Sequence, residues 1–281
     1  MKLEDEFGLF QWQIQDVHVW PLLRMPIYYE LTKKLGVFGA PHGTSQWKGR
    51  RFKRSFLWSY ALFKHLFSSS SPCDLMIVEH PRKVKKDDYW VDIYTDALIQ
   101  RLKKEQQKEQ QSESYSLGIY ENLSYQSETR HHRRHLHAYY DPIMTKARLF
   151  SKFFKTKLTS NELKKCKQVE QALFAEFGIR LDLRKKISKR ISEFKSAYRS
   201  YHKLLAIRQP KALLVVVSYS HSISPLIAAA KTLAIPTIEM QHGTFSPYHL
   251  GYQFPQLKQH PYFCDYFFSF GPFWHQMAHL P

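Results

Sequence analysis

Residues 210–243 read PKALLVVVSYSHSISPLIAAAKTLAIPTIEMQHG. An apolar run opens at Ala212 and breaks at Ser218, where a polar loop begins: Ser218, Tyr219, Ser220, His221 and Ser222. Ser224 is a residue type that caps helices, and Pro225 suits a first helical position, where the missing N–H costs nothing. Residues 225–233 then read as an alanine-rich apolar helix able to pack closely on a sheet. A second apolar run, 235–240, ends in Gln241, His242 and Gly243. Strand, helix and strand in this order form a βαβ unit. Because the runs lack strict polar alternation, they suit a parallel sheet covered on both faces.

Three more runs extend the pattern: DLMIVEH (74–80), SLGIYEN (116–122) and YFFSFG (266–271). Helical stretches lie between most of the five, so the chain predicts an α/β layered fold with ligands at the carboxyl ends of the strands. Thr159, Ser160, Asn161 and Glu162 form a capping box. Leu163, Cys166, Val169, Leu173 and Phe177 follow as one apolar stripe. Leu183, Ile187, Ile191, Phe194, Tyr198 and Tyr201 repeat that spacing, with Lys185, Lys186, Lys189, Arg190, Lys195 and Arg199 opposite. The two helices are expected to form a hairpin against the sheet. Residues 101–115 are polar and low in complexity, the end of a helix running into a solvated loop.

Composition narrows the function classes. Hydrophobic residues make up 43% of 281, enough for a real core. The formal charge of +18 predicts an anionic partner, whether nucleic acid, an acidic membrane face or a phosphorylated or acidic substrate; a solvated basic surface is the lesser alternative. Cys73, Cys166 and Cys264 lie far apart with no CxxC pair, which argues for reduced thiols rather than a disulfide frame or zinc site. The opening MKLEDEFGLFQWQIQ is acidic and does not read as a signal peptide. No run approaches the roughly 18 apolar residues of a membrane span. Residues 130–137, RHHRRHLH, bring His131, His135 and His137 together without a carboxylate partner, so an anion-binding or plain basic loop is favoured over a metal.

Both βα units of the quoted stretch place polar groups at a strand's carboxyl end. Free N–H groups at a helix N-terminus favour a negative ligand near 218–222. His242 and His221 are expected near one crevice, where an imidazole with an unperturbed pKa of about 6.5 can take a proton from a sugar hydroxyl. Glu239 can orient such a group or pair with a cation, and Gly243 permits a sharp turn or close ligand approach. An ordinary polar turn and a structural histidine give the same pattern from spacing alone. No GxGxxG is present.

The run PKALLVVVSYSHSISPLIAAAKTLAIPTIEMQHGTFSPYHLGYQFP, with DYFFSFGPFW after it, resembles bacterial surface-polysaccharide glycosyltransferases of the GT-B type, the capsule and O-antigen enzymes. The resemblance is carried by an E-x-QHG segment (Glu239, Gln241, His242, Gly243) and an H-x-x-Y segment (His249, Tyr252). His80, Arg82, Asp92, Thr95 and Asp96 in HPRKVKKDDYWVDIYTDALI add to it; the likeness is strongest over 209–274. It implies a Rossmann-like parallel sheet with helices on both faces, like the N-terminal, acceptor-side domain of such enzymes. It also implies catalytic roles for His242, Glu239 and His221. Ser218, Tyr219, Ser220, Ser222, Gln241, Gly243, His249, Tyr252, His80 and Arg82 would bind substrate. No cofactor or metal is expected beyond a nucleotide-sugar donor as substrate.

The expected organisation is an N-terminal helical or irregular segment over 1–70, the acceptor-side domain over 71–274, and the start of a linker over 275–281. The donor site is expected on an absent domain or separate subunit, making the chain an N-terminal half. Expected partners are a glycan or lipid-linked acceptor and an anionic membrane surface, at a cytoplasmic location peripheral to the inner membrane face. A non-catalytic module for anionic glycan or phosphate and a polyol-phosphate transferase stand as alternatives. Specific nucleic-acid binding ranks last, since no RRM, OB, KH or zinc-finger signature appears.

Overall fold

The computed structural model describes residues 2–37, 71–108, 115–122, 134–135 and 138–281. All of the 1–70 segment beyond Val37, residues 109–114 of the polar stretch, and both His131 and His137 lie outside the described residues. The five strands expected from the sequence are present: β1 (Leu75–Val78), β2 (Leu117–Glu121), β4 (Ala212–Val215), β5 (Thr237–Met240) and β6 (Tyr266–Phe268). A two-residue β3 (Ala138–Tyr139), too short to show as a run, joins them. The order across the sheet is β6-β5-β4-β1-β2-β3 and every pairing is parallel. This is the doubly wound, Rossmann-like order, with the chain reversing direction across the sheet between β1 and β4.

The helices are α1 (Lys2–Glu6), α2 (Val19–Lys34), α3 (Asp96–Lys108), α4 (Asp141–Phe153), α5 (Ser160–Phe177), α6 (Leu183–Arg208), α7 (Ser224–Thr232) and α8 (Pro272–Met277). Alternation along the strands divides them between two layers. Met76, Val78, Leu213 and Val215 meet α4, α6 and α7 on one face, in a core with Tyr201, Leu205 and Ile227. Leu75, Ile77 and Leu214 turn to the other face, where Ile99 of α3 covers them. A six-stranded parallel sheet flanked by helices therefore answers the α/β expectation.

Two expectations need correction. The α5–α6 hairpin does not lie flat on the sheet. At about 1.5 Å per residue the 26-residue α6 spans two cores. Ala197, Tyr201, Leu204 and Leu205 reach the sheet layer, while Leu183, Ile187 and Ile191 join Cys166, Val169 and Leu173 of α5 and Trp20, Leu23 and Ile27 of α2 in a second core. The Thr159 capping box opens α5, and Gly178 closes it in the left-handed region at φ 66°. The second correction concerns β6, which was expected to be buried. As the edge strand it leaves Tyr266 and Phe268 more than half exposed. The three cysteines are buried and unpaired. Among the described residues, no helix is long and apolar enough to cross a membrane.

Candidate functional site

Where strand order reverses, the loops leaving neighbouring strands part and open a crevice beyond their carboxyl ends. Here those strands are β1 and β4, with β5 beside β4. The sequence delivers Glu79, His80 and Arg82 after β1, Ser218 and Tyr219 after β4, and Gln241 and His242 after β5. The rings of His80 and His242 stack at 5.9 Å, and Tyr94 meets both edge-on, at 5.5 and 6.4 Å.

A continuous set of hydrogen bonds runs inward from this crevice. The Tyr219 hydroxyl lies 3.1 Å from Nε2 of His242, and the Tyr252 hydroxyl 2.9 Å from Nδ1. The Tyr252 hydroxyl also donates to Oε1 of Glu239 at 2.7 Å, and the Ser218 N–H donates to the same oxygen at 3.2 Å. Glu239 is wholly buried, and its Oε2 has no partner among the described residues. Burial pushes its carboxyl up to about 7, against the pull of the Ser218 and Tyr252 hydrogen bonds. Burial also pushes His242 down to about 4, helped by His80, His249 and Arg82. His80 falls to about 4 through burial and the charges of Arg82 and Lys83. At neutral pH the site thus presents neutral imidazoles and a carboxyl near its midpoint, a set suited to moving protons between hydroxyls.

The surroundings fix this set in place. Gln241, expected to contact substrate, instead staples its own loop: Nε2 donates to the Gly243 carbonyl at 2.8 Å, and Oε1 accepts from the Phe270 N–H at 2.8 Å. Arg24 of α2 makes a buried bidentate pair with Glu4, at 2.6 and 3.0 Å, and its remaining nitrogen holds the Leu250 carbonyl. Leu250 begins the turn that carries Tyr252. A cavity of about 610 Å³ between α1, α2 and α5 reaches this anchor at Glu4, Arg24 and Leu250. Below the His80 loop, buried Lys83 pairs with Glu79 and lies 3.5 Å from Glu121, at the ends of β1 and β2. Asp92 accepts from the His80 N–H at 2.7 Å.

The other expected residues divide. His249 stacks on Tyr252 at 5.1 Å and lies 5.7 Å from Tyr219. Tyr252 is only 1% exposed, so its hydroxyl serves Glu239 and His242 rather than open solvent. Arg82 is exposed at the rim. His221 was expected to share the crevice with His242, but its neighbours differ. Its Nε2 lies 3.4 Å from Arg148, and burial together with Arg190, Arg148 and Lys189 lowers it to about 4. Ser220 and Ser222 bond each other at 2.9 Å on that side. Ser224 is not a cap acceptor; its hydroxyl donates back to the carbonyls of Ser218 and Ser220. Gly243 has an ordinary φ and open space around it, so the turn itself does not require glycine. His135 engages Asp96 and Lys103, at 3.3 and 3.1 Å.

Sequence reasoning missed Tyr94, Lys83, Glu79, Glu121 and Gly251. Gly251 alone carried a readable sign, a glycine between two ring-bearing residues of the 249–252 segment. A Cβ there would lie 2.6 Å from the Tyr219 ring.

Fold and site together define an α/β protein of doubly wound layout with a tyrosine–histidine–tyrosine–carboxyl chain at its switch point. Comparison with protein-family models, curated proteins and solved structures gave no match.

Proposed function

We propose that this chain is the acceptor-side half of a GT-B-type glycosyltransferase of bacterial surface-polysaccharide synthesis. In this reading a hydroxyl of a glycan or lipid-linked acceptor enters the crevice beside Tyr219 and His242. It attacks the anomeric carbon of a nucleotide-activated sugar held across the cleft by a separate domain or subunit, and its proton leaves toward His242. The observation that carries the reading is the bonded set Tyr219–His242–Tyr252–Glu239 at the carboxyl ends of β4 and β5. A neutral imidazole is a proton acceptor at physiological pH, and the depressed value of His242 keeps it so. The net charge of +18 suits a phosphate-bearing acceptor or an anionic membrane face.

Two measurements test this: equilibrium binding of surface-polysaccharide fragments, and sugar transfer from nucleotide-sugar donors. We expect both, with His242→Ala lowering transfer by at least about 100-fold and leaving the far-ultraviolet circular dichroism unchanged. Absence of both binding and transfer overturns the reading. Binding without transfer reduces the chain to a glycan-binding module.

A further inference from the structure

We propose that Glu239, Tyr252, His242 and Tyr219 form a switchable proton relay. Glu239 decides, through Tyr252, which ring nitrogen of His242 carries the proton. It thereby decides whether the Tyr219 oxygen offers a ligand a lone pair or an O–H.

The directions follow from the donor inventory. A neutral imidazole has one donor and one acceptor nitrogen, and a phenol has one donor. With Glu239 ionised, Tyr252 donates to its Oε1 and must accept from His242, so the proton sits on Nδ1. Nε2 then accepts from Tyr219, whose own lone pair faces outward. With Glu239 protonated on Oε1, each bond reverses. Glu239 donates to Tyr252, Tyr252 donates to Nδ1, Nε2–H donates to Tyr219, and the Tyr219 O–H turns outward.

One turnover of the relay balances. The ligand O–H, Tyr219 O–H, Nδ1–H and Tyr252 O–H bonds break. New O–H bonds form on Tyr219, Tyr252 and Glu239, and a new N–H bond forms on Nε2. One proton enters at Tyr219, one arrives at Glu239, and the negative charge passes to the ligand oxygen. Only the identity of that ligand hydroxyl rests on the reading above.

The groups facing the relay leave Glu239 to set its midpoint. His80, His249 and His242 itself are lowered, and Tyr94, Tyr219 and Cys264 are raised. Glu239 titrates at about 7. Asp92, behind His80, is raised to about 6, and Asp92→Asn separates its contribution.

The test is the tautomer of His242, read from long-range proton–nitrogen spectra of protein labelled at histidine, without substrate. The expected result is conversion from Nδ1–H to Nε2–H as pH falls through about 7, still present in Asp92→Asn and absent in Tyr252→Phe. Should Tyr252→Phe not fold, Glu239→Gln must remove the step instead. A His242 tautomer that stays fixed through this window, or a step that survives whichever of these two variants is folded, overturns the relay. A tautomer step without glycan binding or transfer removes the transferase reading and leaves the relay. Transfer with a fixed tautomer does the opposite.

Discussion

The imidazoles of His80 and His242 stack with their planes 21° apart, although one follows β1 and the other follows β5. β4 lies between those strands, so the two loops must lean together over its end. Each ring is half-buried, and a charge on either opposes a charge on the other. His80→Ala removes that repulsion and lets water nearer. The His242 midpoint should therefore rise from about 4 toward the ordinary histidine range. Titration of the ring protons by NMR checks this, and an unchanged midpoint would show that burial by other groups dominates.

Gly251 allows the Tyr219 ring to approach the 250–252 turn. An added Cβ would meet Cδ1 and Cε1 of Tyr219 at 2.6 Å and Cε1 of His249 at 2.9 Å. Two packed rings cannot both yield without losing the Tyr219–His242 bond. Gly251→Ala should cost about 1–3 kcal/mol, while Gly243→Ala, with nothing within 4 Å, should stay within about 0.5 kcal/mol. Urea denaturation of the two variants checks the contrast.

Lys83 sits among buried carboxylates at the ends of two central strands. Lys83→Met leaves Glu79 and Glu121 buried without their shared cation, at a cost of about 3–5 kcal/mol. Adding Glu79→Gln should recover part of that loss by removing one of the two buried carboxylates that Lys83 serves. A single variant as stable as the parent would mean that the carboxylates had already found other cations or taken up protons.

The β4–α7–β5 unit was legible because burial on both faces writes an unbroken apolar run into the sequence, and Pro225 marks the helix start. The order of strands was not legible, since no local pattern records which neighbour a parallel strand chooses. The same limit explains α5. Its stripe predicted a buried face that holds at Cys166, Val169 and Leu173 but not at Phe177, and it did not show that the partner would be α2 rather than the sheet. In the site, His242 and His221 look alike in sequence, each following a strand. They part in space because Tyr219 turns toward β5 while His221 turns toward Arg148 on α4. The Lys83 cluster was invisible for a physical reason: Glu79 lies only four residues away, but their spacing does not show that the pair is buried, and the second carboxylate, Glu121, comes from a distant strand. The loop-closing bonds of Gln241 were not legible, because a side-chain amide that closes its own loop has the same sequence signature as one that binds a ligand.

Glu239 and the histidines act on stability with opposite signs. The folded-state value of Glu239, about 7, lies above the ordinary 4.5, so its contribution is full below about 4.5 and is lost as pH rises to about 7. His80, His221 and His242, each lowered to about 4 from 6.5, contribute stability above about 6.5 that is lost as pH falls to about 4. Glu239→Gln removes only the first effect. Its stability relative to the parent should improve by about 1.4 kcal/mol per pH unit between about 4.5 and 7, then level off, whatever the fixed cost of the substitution. Both proteins should still lose stability steeply on acidification below about 6.5, because the histidines remain. Urea midpoints measured across this range separate the two slopes. Parallel curves for parent and variant would mean that Glu239 ionises as freely in the folded protein as in the unfolded chain, against the effect of its burial.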